Sequence, residues 1–257
     1  MKRSLTRKIW VRWIRPHISD KLKRQRIKLV WFVWGYYPLL TLNLPIFSRV
    51  SLLRRFLRVD WNIYHGHLPS EIAIICTALA DRPAKTDEIM LEAGCFNGGS
   101  SAKFSIICRM LGYELYVFDS FQGVEPMSAK AKENTYDFSG EFAVPEERVC
   151  ANITKYGEIG VCSFFKGWFA DTLAHGVSRP VRIAYIDCDT AKGTREVLSG
   201  VMPALAHDGL VFSQDFHILP VRSMLNDPET WKCFSASPVL VAYNDALVAM
   251  TFPRGIH

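Results

Sequence analysis

The turn from Leu91 to Ser100 contains the residues best suited to bind a ligand. Gly94, Gly98 and Gly99 lie in this turn, after an apolar run and before a helical pattern. Glycine lets the backbone approach a ligand without a Cβ contact, and the amides at the N-terminus of the following helix point into the same crevice. The pattern therefore predicts a nucleotide-cofactor site.

Two acidic residues near this turn discriminate between cofactors. Glu92 lies two positions before Gly94, where a carboxylate would repel a pyrophosphate but suits the amino and sulfonium groups of S-adenosylmethionine. Asp119 ends the next apolar run, 25 residues after Gly94, where an acid can accept both ribose hydroxyls. These acids favour S-adenosylmethionine. A tight turn without a ligand and a nicotinamide-dependent oxidoreductase are the alternatives.

A second polar group follows two later apolar runs. Asp187 and Asp189 come after one run, and Gln214 and Asp215 come after the next. The carboxyl ends of neighbouring strands are where ligands bind in open α/β sheets. Oxygen ligands suit Mg²⁺ or Ca²⁺ rather than Zn²⁺, so Asp187, Gln214 and Asp215 are predicted to hold Mg²⁺. The alternative is that the aspartates only cap helices and form turns.

His217 is the predicted catalytic base, together with Asp187 in the same crevice. It follows Asp215 by two residues, and an imidazole with a pKa of about 6.5 could take a proton from a substrate hydroxyl. A metal would lower the pKa of that hydroxyl and orient it. His65 and His67 are weaker alternatives for the base, expected at the surface or in a lid.

The periodicity of apolar residues predicts the elements that position these side chains. Strand-like runs cover residues 89–94, 114–119, 161–167, 181–187 and 209–215, and helical patterns cover 50–58, 69–81, 99–111, 145–157, 168–175 and 191–205. Runs that are apolar on both faces and separated by helices predict a parallel sheet covered on both sides. Residues 239–252 predict a closing antiparallel hairpin. This is the α/β, Rossmann-like architecture of class I methyltransferases.

Five segments, in this order, resemble the macrocin O-methyltransferase (TylF-like) family: EAGCFNGGS, FDSFQGVEP, KGWFADTL, YIDCDTAKGT and SQDFHILP. The resemblance covers roughly residues 47–252. It implies that the protein binds S-adenosylmethionine and a divalent metal, usually magnesium. It also implies that the protein methylates a sugar hydroxyl of a natural product. The cofactor-lining residues it implies are Glu92, Gly94, Gly98, Gly99, Ser100, Asp119 and Ser120, with Gly167 and Trp168 near the adenine. The family has an Asp-Asp pair where this chain has Gln214-Asp215, so one charge is lost.

The N-terminal part differs in charge from the rest. Residues 1–60 carry a formal charge of +13 and the remainder −7. Eleven Lys and Arg residues precede an uncharged stretch from Leu29 to Ser48. Pro38 and Pro45 would interrupt a spanning helix, and the aromatic residues of the stretch prefer the headgroup region. Residues 1–48 are therefore expected to pack on the domain, to form a homodimer, or to contact a membrane peripherally.

Composition limits the remaining possibilities. The seven cysteines include no CxxC pair, so neither a disulfide framework nor a zinc ribbon is indicated. A reducing, cytoplasmic location is expected, at the inner face of a membrane if the N-terminal part contacts lipid. The aromatic residues lie outside the basic segment, which disfavours nucleic acid as a partner.

The sequence predicts an N-terminal extension over residues 1–60 and a methyltransferase domain over residues 61–257. The predicted activity is O-methylation of a sugar or of a glycosylated metabolite or lipid, so the partner is a small-molecule or glycolipid acceptor. The non-enzymatic alternative is a catalytically decayed methyltransferase fold that serves as a membrane-associated scaffold. In that case Gln214 would mark the loss of the metal site.

Overall fold

One seven-stranded sheet organises the computed structural model of the protein, which is described for residues 34–81, 87–129 and 135–252. The strands are β1 Ile89–Ala93, β2 Glu114–Asp119, β3 Cys162–Lys166, β4 Val181–Ile186, β5 Leu205–Ser213, β6 Val239–Ala242 and β7 Val248–Thr251. Their order in the sheet is β3-β2-β1-β4-β5-β7-β6.

The pairing of the strands confirms the predicted mixed sheet. β1 pairs in parallel with β2 and β4, while β7 runs antiparallel to both β5 and β6. The chain order reverses between β1 and β4, where Ala93 lies beside Ile186. A crevice opens at such a switch point, outside the carboxyl ends of the strands.

Helices cover both faces of the sheet, as the apolar runs predict. They are α1 Ile46–Asn62, α2 Pro69–Ala80, α3 Gly99–Leu111, α4 Glu146–Tyr156, α5 Phe169–Thr172, α6 Ala191–Val201, α7 Leu219–Asn226 and α8 Pro228–Lys232. One buried core joins α1 to α4 with the sheet, and a second joins α6 to α8 with its other face. The chain therefore forms an α/β fold with a closing hairpin.

The described part of the N-terminal stretch packs against the first of these cores. Tyr36, Leu39 and Phe56 are fully buried there. The expected division at residue 60 stays a prediction, and it falls inside α1. Residues 1–33 lie outside the described part of the chain. Among the described residues, no helix has the length and apolarity needed to cross a bilayer.

Some element bounds differ from those predicted. β5 begins at Leu205, four residues before the predicted start. The sequence His207-Asp208-Gly209 is typical of a turn, but here it lies in the strand, beside a register shift between Val181 and Ile183. His207 is exposed at this end of the sheet, so polar residues are tolerated within the strand.

Candidate active site

A cavity of about 1230 Å³ lies at the carboxyl ends of the strands. The turn after β1, the turn after β2, and the segments after β4 and β5 all contribute to its lining. Ligand sites of drug-sized molecules occupy roughly 300 to 1,000 Å³. The cavity is therefore large enough for a nucleoside cofactor with an acceptor beside it.

The turn after β1 depends on Gly94. Its φ is +87°, and a Cβ at this position would lie 1.9 Å from the main-chain oxygen of Asp187. A side chain is therefore excluded both by backbone conformation and by the close approach of the chain after β4. This approach places the β1 turn directly against the acidic residues of the second predicted group.

The first turn of α3 forms the floor beside Gly94. Gly98 is the N-cap residue with φ +77°, Gly99 begins the helix, and the nearly buried Ser100 lines the cavity. The unpaired amides at a helix N-terminus carry a partial positive charge. Gly94 and Ser100 thus line the cavity. Gly98 and Gly99 belong to the same turn but are not among the lining residues.

Asp119 connects the β1 and β2 turns. Its Oδ2 accepts a hydrogen bond from the Cys95 amide at 2.7 Å, and its Oδ1 accepts one from the Phe121 amide at 2.7 Å. Each carboxylate oxygen has a further lone pair for a ligand hydroxyl. Ser120, which follows, lines the same cavity, and its hydroxyl donates to the Gly123 carbonyl at 2.8 Å.

Glu92 lies beneath the β1 turn rather than among the residues that line the cavity. Its side chain is fully buried and makes no hydrogen bond of good geometry, although the hydroxyls of Ser100 and Ser101 lie close enough to favour its ionised form. Burial raises its pKa to about 8. An isolated buried carboxylate is unfavourable unless a cation or donors accompany it, so this position fits a positively charged ligand group.

Trp168 occupies the cavity wall next to the end of β3. It is the N-cap residue of α5, follows Gly167, and lines the cavity together with it. Half-buried aromatic residues of this kind provide a flat apolar surface for a base. The structure is thus consistent with the predicted position of the adenine.

The aspartates after β4 and β5 form one buried acidic cluster. Asp215 Oδ2 accepts hydrogen bonds from the amides of Cys188 and Asp189, at 2.9 and 2.8 Å. Burial raises the pKa of Asp187 to about 7 and that of Asp189 to about 6, and the neighbouring carboxylates oppose ionisation further. Asp189 also has a positive φ of +60°, an unusual conformation for a residue other than glycine.

Gln214 belongs to a buried network that the sequence does not reveal. Its Nε2 donates to Glu71 Oε2 at 2.9 Å, and Asn244 Nδ2 donates to Glu71 Oε1 at 2.9 Å. Glu71 is fully buried on α2. Because the amide nitrogen of Gln214 faces Glu71, its carbonyl oxygen points elsewhere, and this buried oxygen has no partner.

The donor set of the acidic cluster fits a hard divalent cation. Asp187 and Asp215 offer carboxylate oxygens, and Gln214 offers the unpaired carbonyl oxygen, so all three donors are oxygens. Within the described ranges, no three His, Cys, Asp or Glu side chains form a ready metal site by themselves. The Gln214 amide oxygen would be the third protein donor beside the two carboxylates.

The predicted base and its alternatives lie on different parts of the cavity. His217 lines the rim and is exposed. His65 and His67 also line the cavity, with their rings stacked at a centroid distance of 4.5 Å. His65 packs against Gly99, where a Cβ would lie 2.9 Å from it. The expectation that these two histidines are surface or lid residues stays a prediction: both are half-buried, and His65 fits against α3 because Gly99 has no side chain there.

His65 is held by a buried ion pair that sequence reasoning missed. Its Nε2 lies 2.7 Å from Asp60 Oδ1 and 3.2 Å from Lys103 Nζ, and Lys103 also pairs with Asp60. Lys103 is fully buried on α3. Desolvation lowers the pKa of His65, so this ring is neutral near pH 7. The only sign of this ion pair in the sequence is a lysine within a mainly apolar helical pattern.

Comparison with known proteins adds to this geometry. A family model described as Macrocin-O-methyltransferase (TylF) matches residues 84–232. The chain belongs to the macrocin-O-methyltransferase (TylF) family. The match includes the β1 turn, Asp119 and the acidic cluster, and it confirms the resemblance seen in the sequence.

Two curated relatives each match a little more than half of this chain. 8-Demethyl-8-(2,3-dimethoxy-alpha-L-rhamnosyl)-tetracenomycin-C 4'-O-methyltransferase of Streptomyces olivaceus is 30% identical over 147 residues, covering 54% of this chain and 56% of that protein. Mycinamicin III 3''-O-methyltransferase of Micromonospora griseorubida is 25% identical over 149 residues, covering 54% and 59%. The match thus spans little more than half the length of either relative.

Solved structures support the fold of this TylF family member. The structure of the O-methyltransferase NovP has a TM-score of 0.67 at 18% identity, and the match covers 80% of this chain and 100% of that one. At this identity the likeness concerns the fold alone. It confirms the class I methyltransferase architecture predicted from the order of strands and helices.

Proposed function

We propose that the protein is an S-adenosylmethionine-dependent O-methyltransferase that acts on a hydroxyl of a sugar or of a glycosylated metabolite or lipid. The observation that carries the proposal is the contact between the Gly94 turn and the main chain at Asp187. It brings the glycine turn and the acidic cluster side by side in one cavity. The family, and the names of two O-methyltransferase relatives, agree with this chemistry.

The donor would bind along the ends of β1, β2 and β3. Asp119 would accept hydrogen bonds from the ribose hydroxyls, and Trp168 would cover the adenine. The cationic amino acid end of the donor, bound above the first turn of α3, would lower the raised pKa of the buried Glu92 and so favour its carboxylate form. The Gly98, Gly99, Ser100 and Ser120 positions would shape the backbone around it.

The acceptor hydroxyl would lie on the acidic side of the cavity. S-adenosylmethionine would supply the methyl group: a bond would form between the hydroxyl oxygen and the methyl carbon as the carbon–sulfur bond breaks, and the electron pair of the broken bond would stay with the sulfur of S-adenosylhomocysteine. The hydroxyl proton passes to a base. His217 at the rim is the proposed acceptor of this proton, and Asp187 orients the hydroxyl. General acid–base catalysis of this kind contributes about 10² to 10⁴ in rate.

Magnesium fits this proposal as a bound cofactor. Asp187, Asp215 and the Gln214 carbonyl oxygen would hold it, and it would supply Lewis acidity that lowers the pKa of a hydroxyl. The amide in place of a carboxylate makes the site less negative. We therefore expect binding weaker than that of a site with three carboxylates.

Calorimetric titration with S-adenosylhomocysteine tests the donor part of the proposal. Saturable binding at a one-to-one ratio is expected, with no enhancement of NADH fluorescence in a parallel titration. Folded protein that gives no heat with S-adenosylhomocysteine would contradict the proposal, and NADH binding in its place would favour the oxidoreductase.

Gln214 supports one further candidate, a decayed methyltransferase fold that works as a scaffold. Such a protein would bind the donor and yet form no S-adenosylhomocysteine from it. The discriminating assay follows product formation by mass spectrometry over a panel of glycosylated acceptors, with magnesium or with EDTA. Turnover on any acceptor excludes the scaffold.

A further inference from the structure

Helix α1 has two apolar faces, and only one is buried. Leu52, Phe56 and Val59 are fully buried against the core. The opposite face bears exposed apolar residues, although water surrounds it. Exposed apolar residues on the side of a helix that faces away from the core indicate a surface for another binding partner.

The exposed face forms one continuous stripe, here called the outer stripe: Phe47, Val50, Arg54, Arg58 and Trp61. These residues are exposed, Phe47 by 86% and Trp61 by 63%. Their spacing of three and four residues puts them on one side of the helix. At 1.5 Å per residue the stripe is about 21 Å long, which is a sizeable surface for docking.

The outer stripe leads to the mouth of the cavity. Tyr64 follows α1 closely and is 78% exposed, and Trp34 and Leu68 are exposed as well. All three also line the cavity. Trp34 precedes Gly35, which packs against Pro69 beside Leu68. Exposed aromatic and apolar residues thus continue from the helix to the opening of the proposed active site.

Charge identifies the partner that this surface fits. Arg54 and Arg58 lie between the apolar residues of the outer stripe. Eleven Lys and Arg residues against one acid, Asp20, occupy the first 28 positions of the sequence. Trp, Tyr and Arg side chains together favour the headgroup region, and basic clusters attract anionic lipid. The exposed aromatic residues, the arginines between them and the basic N-terminal sequence are each typical of a protein that binds a bilayer surface.

A second copy of the chain fits this surface less well. In a twofold-symmetric contact the same patch faces itself. The arginines of the outer stripe would then meet the arginines of the other copy in a contact that excludes water, and like charges there are unfavourable.

We propose that the outer stripe, with the cavity mouth beside it, docks the protein on an anionic membrane surface. This proposal rests on the proposed function in one respect: docking would present the active site to a lipid-linked sugar held at the headgroups. Lipid binding itself requires no turnover, so it can be measured independently of the acceptor.

The test is flotation of the full chain with vesicles of phosphatidylcholine alone or with about one third phosphatidylglycerol. Wild type is expected to float with the anionic vesicles, and high salt is expected to reduce this. The double variant Phe47→Ser/Trp61→Ser should partition at least about tenfold less. The matched control Leu219→Ser/Val239→Ser removes apolar residues of 57% and 52% exposure elsewhere, and it should float like wild type.

Three results would overturn the proposal. Wild type could fail to float with anionic vesicles, or the outer-stripe variant could float as well as the control. Alternatively, wild type could elute as a dimer that the outer-stripe variant breaks, with neither binding vesicles, which would assign the face to a second copy. Titration of each variant with S-adenosylhomocysteine separates these outcomes from failure of the proposed function, because the outer stripe lies outside the donor site.

Discussion

The donor half and the acceptor half of the cavity are constructed differently. In the donor half, the Asp119 carboxylate accepts hydrogen bonds from the amides of Cys95 and Phe121. These bonds join only the turn after β1 and the adjacent end of β2. In the acceptor half, Gln214 depends on Glu71, 143 residues earlier, and Glu71 also binds Asn244, 173 residues later. The Asp119 hydrogen bonds of the donor half thus span at most 24 residues, whereas those of the acceptor half join residues more than 140 positions apart.

This difference indicates that a short sequence motif can encode the donor site but not the acceptor site. A motif of ten residues specifies the donor site because backbone conformation and a helix N-terminus do much of the binding. The acceptor site depends on side chains from α2 and from the turn between β6 and β7. The two halves meet at Gly94.

The largest effect is expected from Gly94→Ala, which damages both halves at their contact. A Cβ there would lie 1.9 Å from the Asp187 oxygen, and φ is +87°. Steric conflict of this kind cannot relax without moving the β1 turn, so binding of S-adenosylhomocysteine should weaken by at least about a hundredfold. The measurement is calorimetric titration. Gly160→Ala is the control, because its Cβ would meet nothing within 4 Å, and equal binding by both variants would contradict the account.

The next largest effect is expected from Lys103→Met, which leaves Asp60 buried without its cation. Removing one partner of a buried ion pair costs about 3 to 5 kcal/mol, and His65 loses a neighbour as well. Chemical denaturation would measure the loss.

The double variant Asp60→Leu/Lys103→Met is the matched comparison, since it removes both charges. It should recover much of the lost stability. If the single and double variants were equally unstable, loss of the cation beside Asp60 would not be the cause of the instability.

The pH dependence of stability isolates Glu92 in the donor half. Its pKa is about 8 in the folded chain against 4.5 as the reference value. Between these values the folded state holds a proton that the unfolded state releases, so stability falls as pH rises and the full loss is present above about 8. Glu92→Gln lacks this ionisation. It should melt several degrees higher than wild type at pH 9, with the difference vanishing near pH 4.

Thermal melting of both proteins across this range is the measurement. Glu88→Gln is a nearby control in which a second glutamate changes and Glu92 remains. A constant difference between wild type and Glu92→Gln at all pH values would contradict the buried, unpaired state of Glu92.

A smaller effect is expected from Gln214→Asp in the acceptor half. The new carboxylate would face Glu71 in place of the amide that now donates to it at 2.9 Å. Like charges should lower the melting temperature in EDTA by a few degrees, and magnesium should restore more of it than it does for wild type. Differential scanning fluorimetry measures both. Gln214→Glu is the comparison for side-chain length, and identical magnesium effects in variant and wild type would rule out the cation site.

Much of the fold was predictable because its signals are periodic. The five parallel strands, the hairpin and α3 follow from apolar runs and from the glycine turn that precedes α3. The extent of α1 and the start of β5 were not predictable, because tertiary contacts override local preferences there. Val59, for example, lies beyond the predicted end of α1 at residue 58 and packs on the core as part of that helix.

The candidate site was predictable to a similar, partial degree. Gly94, Asp119 and Asp187 were found because their positions follow strand ends. Glu71 was not, because a lone glutamate in the first turn of a helix is normally a cap, and Glu71 does also accept a hydrogen bond from the Leu68 amide. Its second role appears only when Gln214 and Asn244 are brought to it.

We propose that the donor half binds S-adenosylhomocysteine independently of the acceptor half, and one titration tests this independence. S-adenosylhomocysteine is titrated into wild type, Asp119→Asn and Asp215→Asn, all in EDTA. We expect at least about tenfold weaker binding for Asp119→Asn, which loses a charged acceptor of two hydrogen bonds, and binding within about threefold of wild type for Asp215→Asn. Equal losses in the two variants, or a larger loss for Asp215→Asn, would show that the two halves are not independent.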